Sequence, residues 1–389
     1  RAARFDGLGD LEAPGQLVAA ARRLATAHGE LLLVATGPDV TSIQMVNNTL
    51  VSLDSVGLRR HTLLLADSWT TCAQLLAPPC FWSSRVLRRA PSESRTMSQF
   101  WDWRFRFYYI KKLYIAALVR EGFTVLQADT DTVWVHDPFP VLRSMVGSSI
   151  ITMKDTALAN AGVVYARPGS AAAQALLDDV AWRVQLFQNW PEIVPEIVPF
   201  AKAPYYANSD DQTLLNDAIV SAVTGNHTFL GSTARYEAKN RYNPAGPPWE
   251  SVQESAQWRR LLGKLYRRQR SRTVWIPWDR RSTRYSILPL DGANDSVALA
   301  PRALFAHLPF AEANAVTHLT AARGFHNKVA TLRRIGKWNP DGLPAAPMAA
   351  TGAAKGAGRK GPGAKGGGVK GAGAKGAGKK RGGSQLPAS

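Results

Sequence analysis

Two carboxylates one residue apart, Asp129 and Asp131, stand where a short apolar run ends, in Gln127-Ala128-Asp129-Thr130-Asp131-Thr132-Val133-Trp134. Bare carboxylates at the edge of a core must be paired, protonated or bound to metal. An alternating backbone turns both toward similar sides, so together they can hold a hard divalent cation through oxygen. The plainer alternative is a capping or turn pair that binds nothing. Further polar groups occur at other element ends: Asn160-Ala161-Gly162 before a strand, and Asp211-Gln212-Thr213 opening an amphipathic helix. His318, Gly324 and Lys328 lie at the start of the last helix. Each of these is weak alone, and a lone histidine is more often a core or surface residue than a ligand.

The elements that must position these groups alternate in type. Glu30–Thr36 reads as a buried strand, residues 41–56 as a helix ended by Gly57, and Thr62–Ala66 as the next strand. Residues 99–120 form a long helix with an aromatic stripe, stopped at Gly122. Strands follow at 123–128, 150–153 and 162–166, with another at 303–306 and a closing helix at 321–335. This β-α-β-α order predicts an α/β fold, a mainly parallel sheet flanked by helices. Ligands in such sheets bind outside the carboxyl ends of the strands, which is where Asp129 falls. The expected organisation is a lead-in helix over 1–29, one large domain over 30–340, and a disordered Gly/Ala/Lys-rich tail over 341–389. Within the domain, 244–299, rich in Pro, Trp and Arg, reads as an irregular or partly helical insertion.

The 389 residues carry a formal charge of +19, but the excess is local. The tail from 351 holds nine Lys/Arg, no acid and 14 of the 32 glycines, too little apolar matter for a core. It reads as a solvated cationic appendage, either dispensable or able to contact a polyanion. Ten more cations crowd between Arg259 and Arg284 against one acid, Asp279, interleaved with Trp258, Tyr266, Trp275 and Trp278. Aromatic faces and arginines suit an acidic acceptor as well as a solvated loop. No apolar run is long enough to span a bilayer. The chain opens on Arg1 without a signal pattern, so a targeting segment is expected outside it. Cys72 and Cys80 allow at most one internal disulfide and no cysteine-based zinc framework.

Two chemistries are open to these residues as they stand. Asp129 could be the nucleophile of a haloacid-dehalogenase-type phosphatase, with Asp210-Asp211 as a later acidic pair. Its position argues against that, because nearly 130 residues with their own strands come first. A non-catalytic polyanion-binding protein using the cationic segments is the other.

Taken in order, the motifs resemble the retaining GT-A glycosyltransferases, and in particular the plant and algal nucleotide-diphospho-sugar transferases of glycosyltransferase family 77, xylosyl- and arabinosyltransferases of cell-wall polymers. The resemblance runs from about Leu31 to Trp338 and is most specific in 118–140, where the Asp-x-Asp is followed by Trp134 and Asp137-Pro138-Phe139-Pro140. It implies a GT-A fold and Mn2+ or Mg2+ held by Asp129, Asp131 and His318 against the diphosphate of a nucleotide sugar, UDP-linked by expectation. Gly324 and Lys328 would cradle the same diphosphate, Lys112 would contact the donor, and Thr130 and Ala161 would line its site. Asn160 and Asp211 would hydrogen-bond the transferred sugar, with Gln212 beneath the anomeric carbon. Ala35, Thr36 and Asp67 would face the nucleoside. Thr213 replaces a carboxylate of some relatives, which weakens a covalent intermediate there. The implied reaction is front-side transfer with retention to a glycan or glycoprotein hydroxyl, the departing phosphate oxygen taking the proton. The resemblance also implies a Golgi lumenal, membrane-anchored enzyme. The acceptor patterns at Asn47, Asn226 and Asn294 permit that setting.

Overall fold

The computed structural model describes residues 8–75, 79–87, 99–155, 158–190, 192–198, 211–229, 263–265, 267–320, 322 and 324–342. The chain divides into Arg1–Ala346 and Pro347–Ser389. The tail from 343, Asp210, Trp258, Tyr266 and residues 244–262 lie outside the described residues.

Thirteen strands and nine helices are described. The first part holds β1 (Leu8–Asp10), α1 (Gln16–Leu24), β2 (Glu30–Thr36), α2 (Val40–Ser55), β3 (Thr62–Ala66), α3 (Trp69–Gln74), β4 (Cys80–Trp82), α4 (Gln99–Arg120) and β5 (Thr124–Ala128). There follow β6 (Thr132–Trp134), α5 (Phe139–Ser144), β7 (Ile150–Lys154), β8 (Ala159–Ala166), α6 (Ala171–Asn189), α7 (Val194–Ile197) and α8 (Asp211–Thr224). The last are β9 (Arg270–Ile276), β10 (Arg281–Pro289), β11 (Ser296–Ala300), β12 (Phe305–His307), β13 (Val316–His318) and α9 (Phe325–Arg334).

Ten strands make one sheet in the order β1-β4-β3-β2-β5-β8-β7-β11-β10-β9, and β12-β13-β6 make a second. From β1 to β5 all pairings are parallel; β8 runs antiparallel to both its neighbours, and β11 is parallel to β7. The strands β2 and β3 are near-continuous apolar runs because both faces are covered. One face packs on α1, α4, α6 and α8 and the other on α2, α5 and the small sheet. The carboxyl ends of β2, β3, β5, β7 and β11 therefore share one edge. Local signals set the element ends: Asp39 accepts the Ser42 amide at 3.0 Å to start α2. Gly122 (φ 89°) closes α4, with Phe123 N–H returning to Leu118 O at 3.0 Å, which feeds the chain straight into β5.

Three expectations change. The lead-in contains a parallel edge strand, β1, as well as a helix. The segment 244–299, expected to be irregular, builds β9, β10 and β11 in its described part. Its arginines hide the strand alternation, since β9 buries only Val274 and Ile276. The closing helix begins at Phe325 rather than 321, and His318 lies before it on β13. A four-residue apolar-polar stretch, Ala315-Val316-Thr317-His318, is too short to announce a strand by periodicity. A Cys72–Cys80 disulfide joins α3 to β4. Among the described residues no helix is long and apolar enough to cross a membrane.

Candidate active site

Register brings the acidic pair and the imidazole together. β13 runs antiparallel to β6 with His318 opposite Thr132, and Leu319 N–H donates to Asp131 O at 2.9 Å. The loop between β5 and β6 is pinned by the Asp129 amide, which donates to Gly162 O at 2.8 Å, and by the Thr49 hydroxyl, which donates to Thr130 O. The ligand atoms of Asp129, Asp131 and His318 all lie within 4.8 Å of one another. His318 Nε2 is 3.0 Å from Asp131 Oδ1 and 3.7 Å from Asp129 Oδ2.

The second ring nitrogen fixes the first. His318 Nδ1 faces Asn160 Oδ1 at 3.2 Å, and the same oxygen accepts the Gly162 amide at 2.8 Å. A neutral imidazole held this way carries its proton on Nδ1 and turns the Nε2 lone pair to the carboxylates, as metal-bound histidines do. Two carboxylates and one imidazole fit Mn2+ readily, and Mg2+, which favours oxygen, less so. Gly162 leaves the space: a Cβ there would stand 2.2 Å from His318 Cε1 and 2.8 Å from Asp129 Oδ2.

Cations surround this cluster. Lys328, one turn into α9, places Nζ 2.7 Å from Asp131 Oδ2. Lys111 pairs with Asp129 and lies 3.7 Å from Asp211, while Lys112 reaches Gln127 Oε1, Ala161 O at 2.6 Å and Asp211 at 3.6 Å. Burial works against the charge of Asp131, but His318 and Lys328 outweigh it and hold the carboxyl far below its ordinary range. Burial likewise opposes the His318 imidazolium, yet Asp131 and then Asp129 raise its pKa. For Lys112, burial wins over the attraction of Asp211 and pushes the ammonium down to about 8.

A second polar knot adjoins the first. Asn160 donates to Gln212 Oε1 at 3.2 Å and to Asp155 Oδ2 at 3.1 Å, and Gln212 Nε2 donates to the same Asp155 oxygen at 3.0 Å. Asn216 fastens α8 to β8, accepting from Ala159 N and donating to Ala159 O at 2.9 and 3.0 Å. This clamp, one turn on from Gln212, sets where that side chain begins.

Asp129, Asp131, His318, Lys328, Asn160, Asp211 and Gln212 thus converge. Gly324 (φ 79°) caps α9 at its start, one turn from Lys328. Lys112 lies beneath the cluster, with Ala161 O as a partner, whereas its neighbour Lys111 touches Asp129. Ala35, Thr36 and Asp67 sit at the ends of β2 and β3, one and two strands from β5. There the Thr36 hydroxyl donates to Ser42 O at 3.2 Å and Asp67 accepts from Ser68 and Thr71 at the start of α3. Neither Lys111 nor Asp155 is singled out by the sequence, and Gly162, expected at a turn before its strand, lies within β8. Asp155 follows β7 at the carboxyl edge, and Gly162 interrupts a strand, a pattern that often marks close approach.

Residues 68–236 match the model of the nucleotide-diphospho-sugar transferase family. That span holds Asp129, Asp131, Asn160 and Gln212 and ends before His318. No curated protein matches the chain in sequence. Among solved structures, the galactosyltransferase LgtC with donor and acceptor sugar analogues aligns at 13% identity over 48% of this chain and 69% of that one, TM-score 0.30. The glycosyltransferase GlyE of Streptococcus pneumoniae TIGR4 aligns at 12% over 61% and 63%, TM-score 0.29, and mouse xyloside xylosyltransferase 1 at 11% over 41% and 74%, TM-score 0.25.

Proposed function

We propose that this chain is a nucleotide-sugar-dependent glycosyltransferase of GT-A type, a reading that the match of residues 68–236 supports, and that it is metal-dependent and transfers with retention, from a UDP-linked pentose or hexose to a glycan or glycoprotein hydroxyl. The family match favours this reading over the phosphatase and the non-catalytic binder. The observation that carries metal dependence is the convergence of Asp129, Asp131 and His318 within 4.8 Å at the carboxyl edge of the sheet. Mn2+ held there would neutralise charge that develops on the departing diphosphate.

The chain's own residues supply the rest. Lys328 and the Gly324 turn would receive the same diphosphate, Lys328 leaving Asp131 for a phosphate oxygen. Asp155 and Asn160 hold the Gln212 amide, which would lie under the anomeric carbon. Gln212 is neutral and already doubly bonded, so it is poorly suited to act as a nucleophile or base. This agrees with a front-side transfer in which a phosphate oxygen takes the acceptor proton. Trp134 and the Asp137-Pro138-Phe139-Pro140 turn support the narrower likeness to family 77.

For compartment we propose the Golgi lumen. The Cys72–Cys80 disulfide suits an oxidising setting, and Asn226 and Asn294 are exposed. Asn47 is only 6% exposed and cannot accept a glycan in the folded chain. Loss of one glycan from secreted Asn226→Gln would support this; an unglycosylated product from secretory cells would oppose it.

The deciding experiment is a nucleotide-sugar screen with Mn2+, read as released nucleotide. Asp131→Asn should abolish release while the fold persists. Full activity in that variant would overturn the assignment.

A further inference from the structure

The last two strands of the large sheet leave it and overhang the active-site edge. β11 pairs with β10 up to Leu299–Ser286, while β10 continues back to Arg281 paired only with β9. Because β11 is parallel to β7, the overhang points the same way as the carboxyl ends that carry Asp129 and Asp155. The four steps from Tyr285 to Arg281 make the arm roughly 13 Å long.

The two faces of this arm differ. One packs Val274, Ile276 and Tyr285 into the core shared with Trp134 and Val316, on the small sheet that bears His318. Trp278 secures the tip, stacked on His136 at 4.9 Å between ring centroids and donating to Ala313 O at 3.1 Å. The register puts Trp275 opposite Ser282 and Thr273 opposite Arg284 on the other face. All four are exposed or half-exposed, Trp275 by 55%. This face continues into Leu288, Val297 and Leu299, which share a core with Leu214 and Leu215 of α8. It is therefore on the side of the sheet where α8 begins with Asp211 and Gln212.

Charge complementarity identifies the occupant. Described residues 267–284 hold seven arginines and one acid, Asp279, which pairs with Arg281. Arginines alone would serve to keep an edge strand from pairing with another chain. An exposed tryptophan among them works against that purpose. At the turn, Arg280 is the one non-glycine with positive φ (48°) among the described residues. A bulky cation kept where glycine or asparagine would sit more easily suggests that its side chain is used.

Resting on the transferase reading above, we propose that the open face of this arm, centred on Trp275 and Arg284, holds an acidic polysaccharide acceptor. A sugar ring stacks on Trp275, and carboxylates along the chain pair with Arg284 and Arg280. The bound chain runs toward Gln212 and Asp155.

The test measures binding of full-length protein to an oligogalacturonate and to a neutral xylo-oligosaccharide of equal length, at physiological salt. The expected result is tighter binding of the acidic chain, weakened about tenfold by Trp275→Ala and by Arg284→Gln. Trp275→Ala changes no charge, so the basic tail contributes equally to it and to wild type. Unaltered melting temperatures show that both variants fold. Equal affinity for the two oligosaccharides, or variants that bind as wild type does, would overturn the proposal. So would a Trp275-dependent preference for single-stranded RNA. Asp131→Asn separates the two readings: it should bind the oligogalacturonate normally and release no nucleotide. A wild-type chain that binds the acidic glycan through Trp275 yet turns over no donor would sink the transferase reading and leave this surface standing.

Discussion

Lys328 Nζ lies 2.7 Å from Asp131 Oδ2, while His318 Nε2 meets the other oxygen of the same carboxylate at 3.0 Å. In this arrangement an ammonium stands beside the proposed metal site, and Mn2+ bound there would have to compete with it. Lys328→Met should therefore bind Mn2+ more tightly than wild type in the absence of nucleotide. The same variant should bind the nucleoside diphosphate more weakly, because it has no ammonium left to reach a phosphate. Titration calorimetry reads both, with changes of about tenfold in opposite directions. Equal Mn2+ affinity in the two proteins would contradict the competition.

The pH dependence of the metal-free protein follows from the same contacts. Asp131 has its folded pKa depressed, so its contribution is present above the ordinary carboxylate value of about 3.9 and fades as pH falls below it. His318 has its folded pKa raised, so its contribution is present below about 6.5 and fades as pH rises through the raised value. Both are intact between about pH 4 and 6.5. Metal-free melting temperatures should accordingly fall from pH 6 to pH 9, while Mn2+ affinity rises over the same range as the imidazole loses its proton. A melting temperature that climbs over that interval would contradict the assignment.

Gly162→Ala places a methyl group 2.2 Å from His318 Cε1 and 2.8 Å from Asp129 Oδ2. Overpacking of this kind costs about 1–3 kcal/mol, and here the atoms that must move belong to the proposed metal ligands. The expected result is a folded protein, modestly destabilised in urea, with Mn2+ binding reduced by at least a hundredfold. Wild-type Mn2+ affinity would show that the cluster has more room than the geometry allows.

Asp155→Asn removes the carboxylate that accepts from both Asn160 and Gln212. A positioning role predicts a fall in kcat of roughly 10–100-fold with little change in donor KM, since the proposed diphosphate contacts are untouched. A loss confined to KM would place Asp155 in donor binding.

Much of the architecture was readable from residue order. The strands at 30–36 and 62–66 and the helix at 99–120 declare themselves because each is long, strongly apolar or closed by a glycine, so local propensity and burial agree. Asp129 and Asp131 were legible for the opposite reason, two charges at the end of a buried run. What sequence spacing left open was which distant side chains join them. His318 reaches Asp131 because three residues of β13 pair antiparallel with β6, and a strand that short has no periodicity to read. Lys111 and Lys112 are identical neighbours in the chain; only the rotation of α4 against β5 sends one to Asp129 and the other to Ala161. The arginine-rich segment at 270–289 conceals its strands because an edge exposes residues that a central strand would bury. Contacts among elements far apart in sequence decide such matters, and no local pattern encodes them.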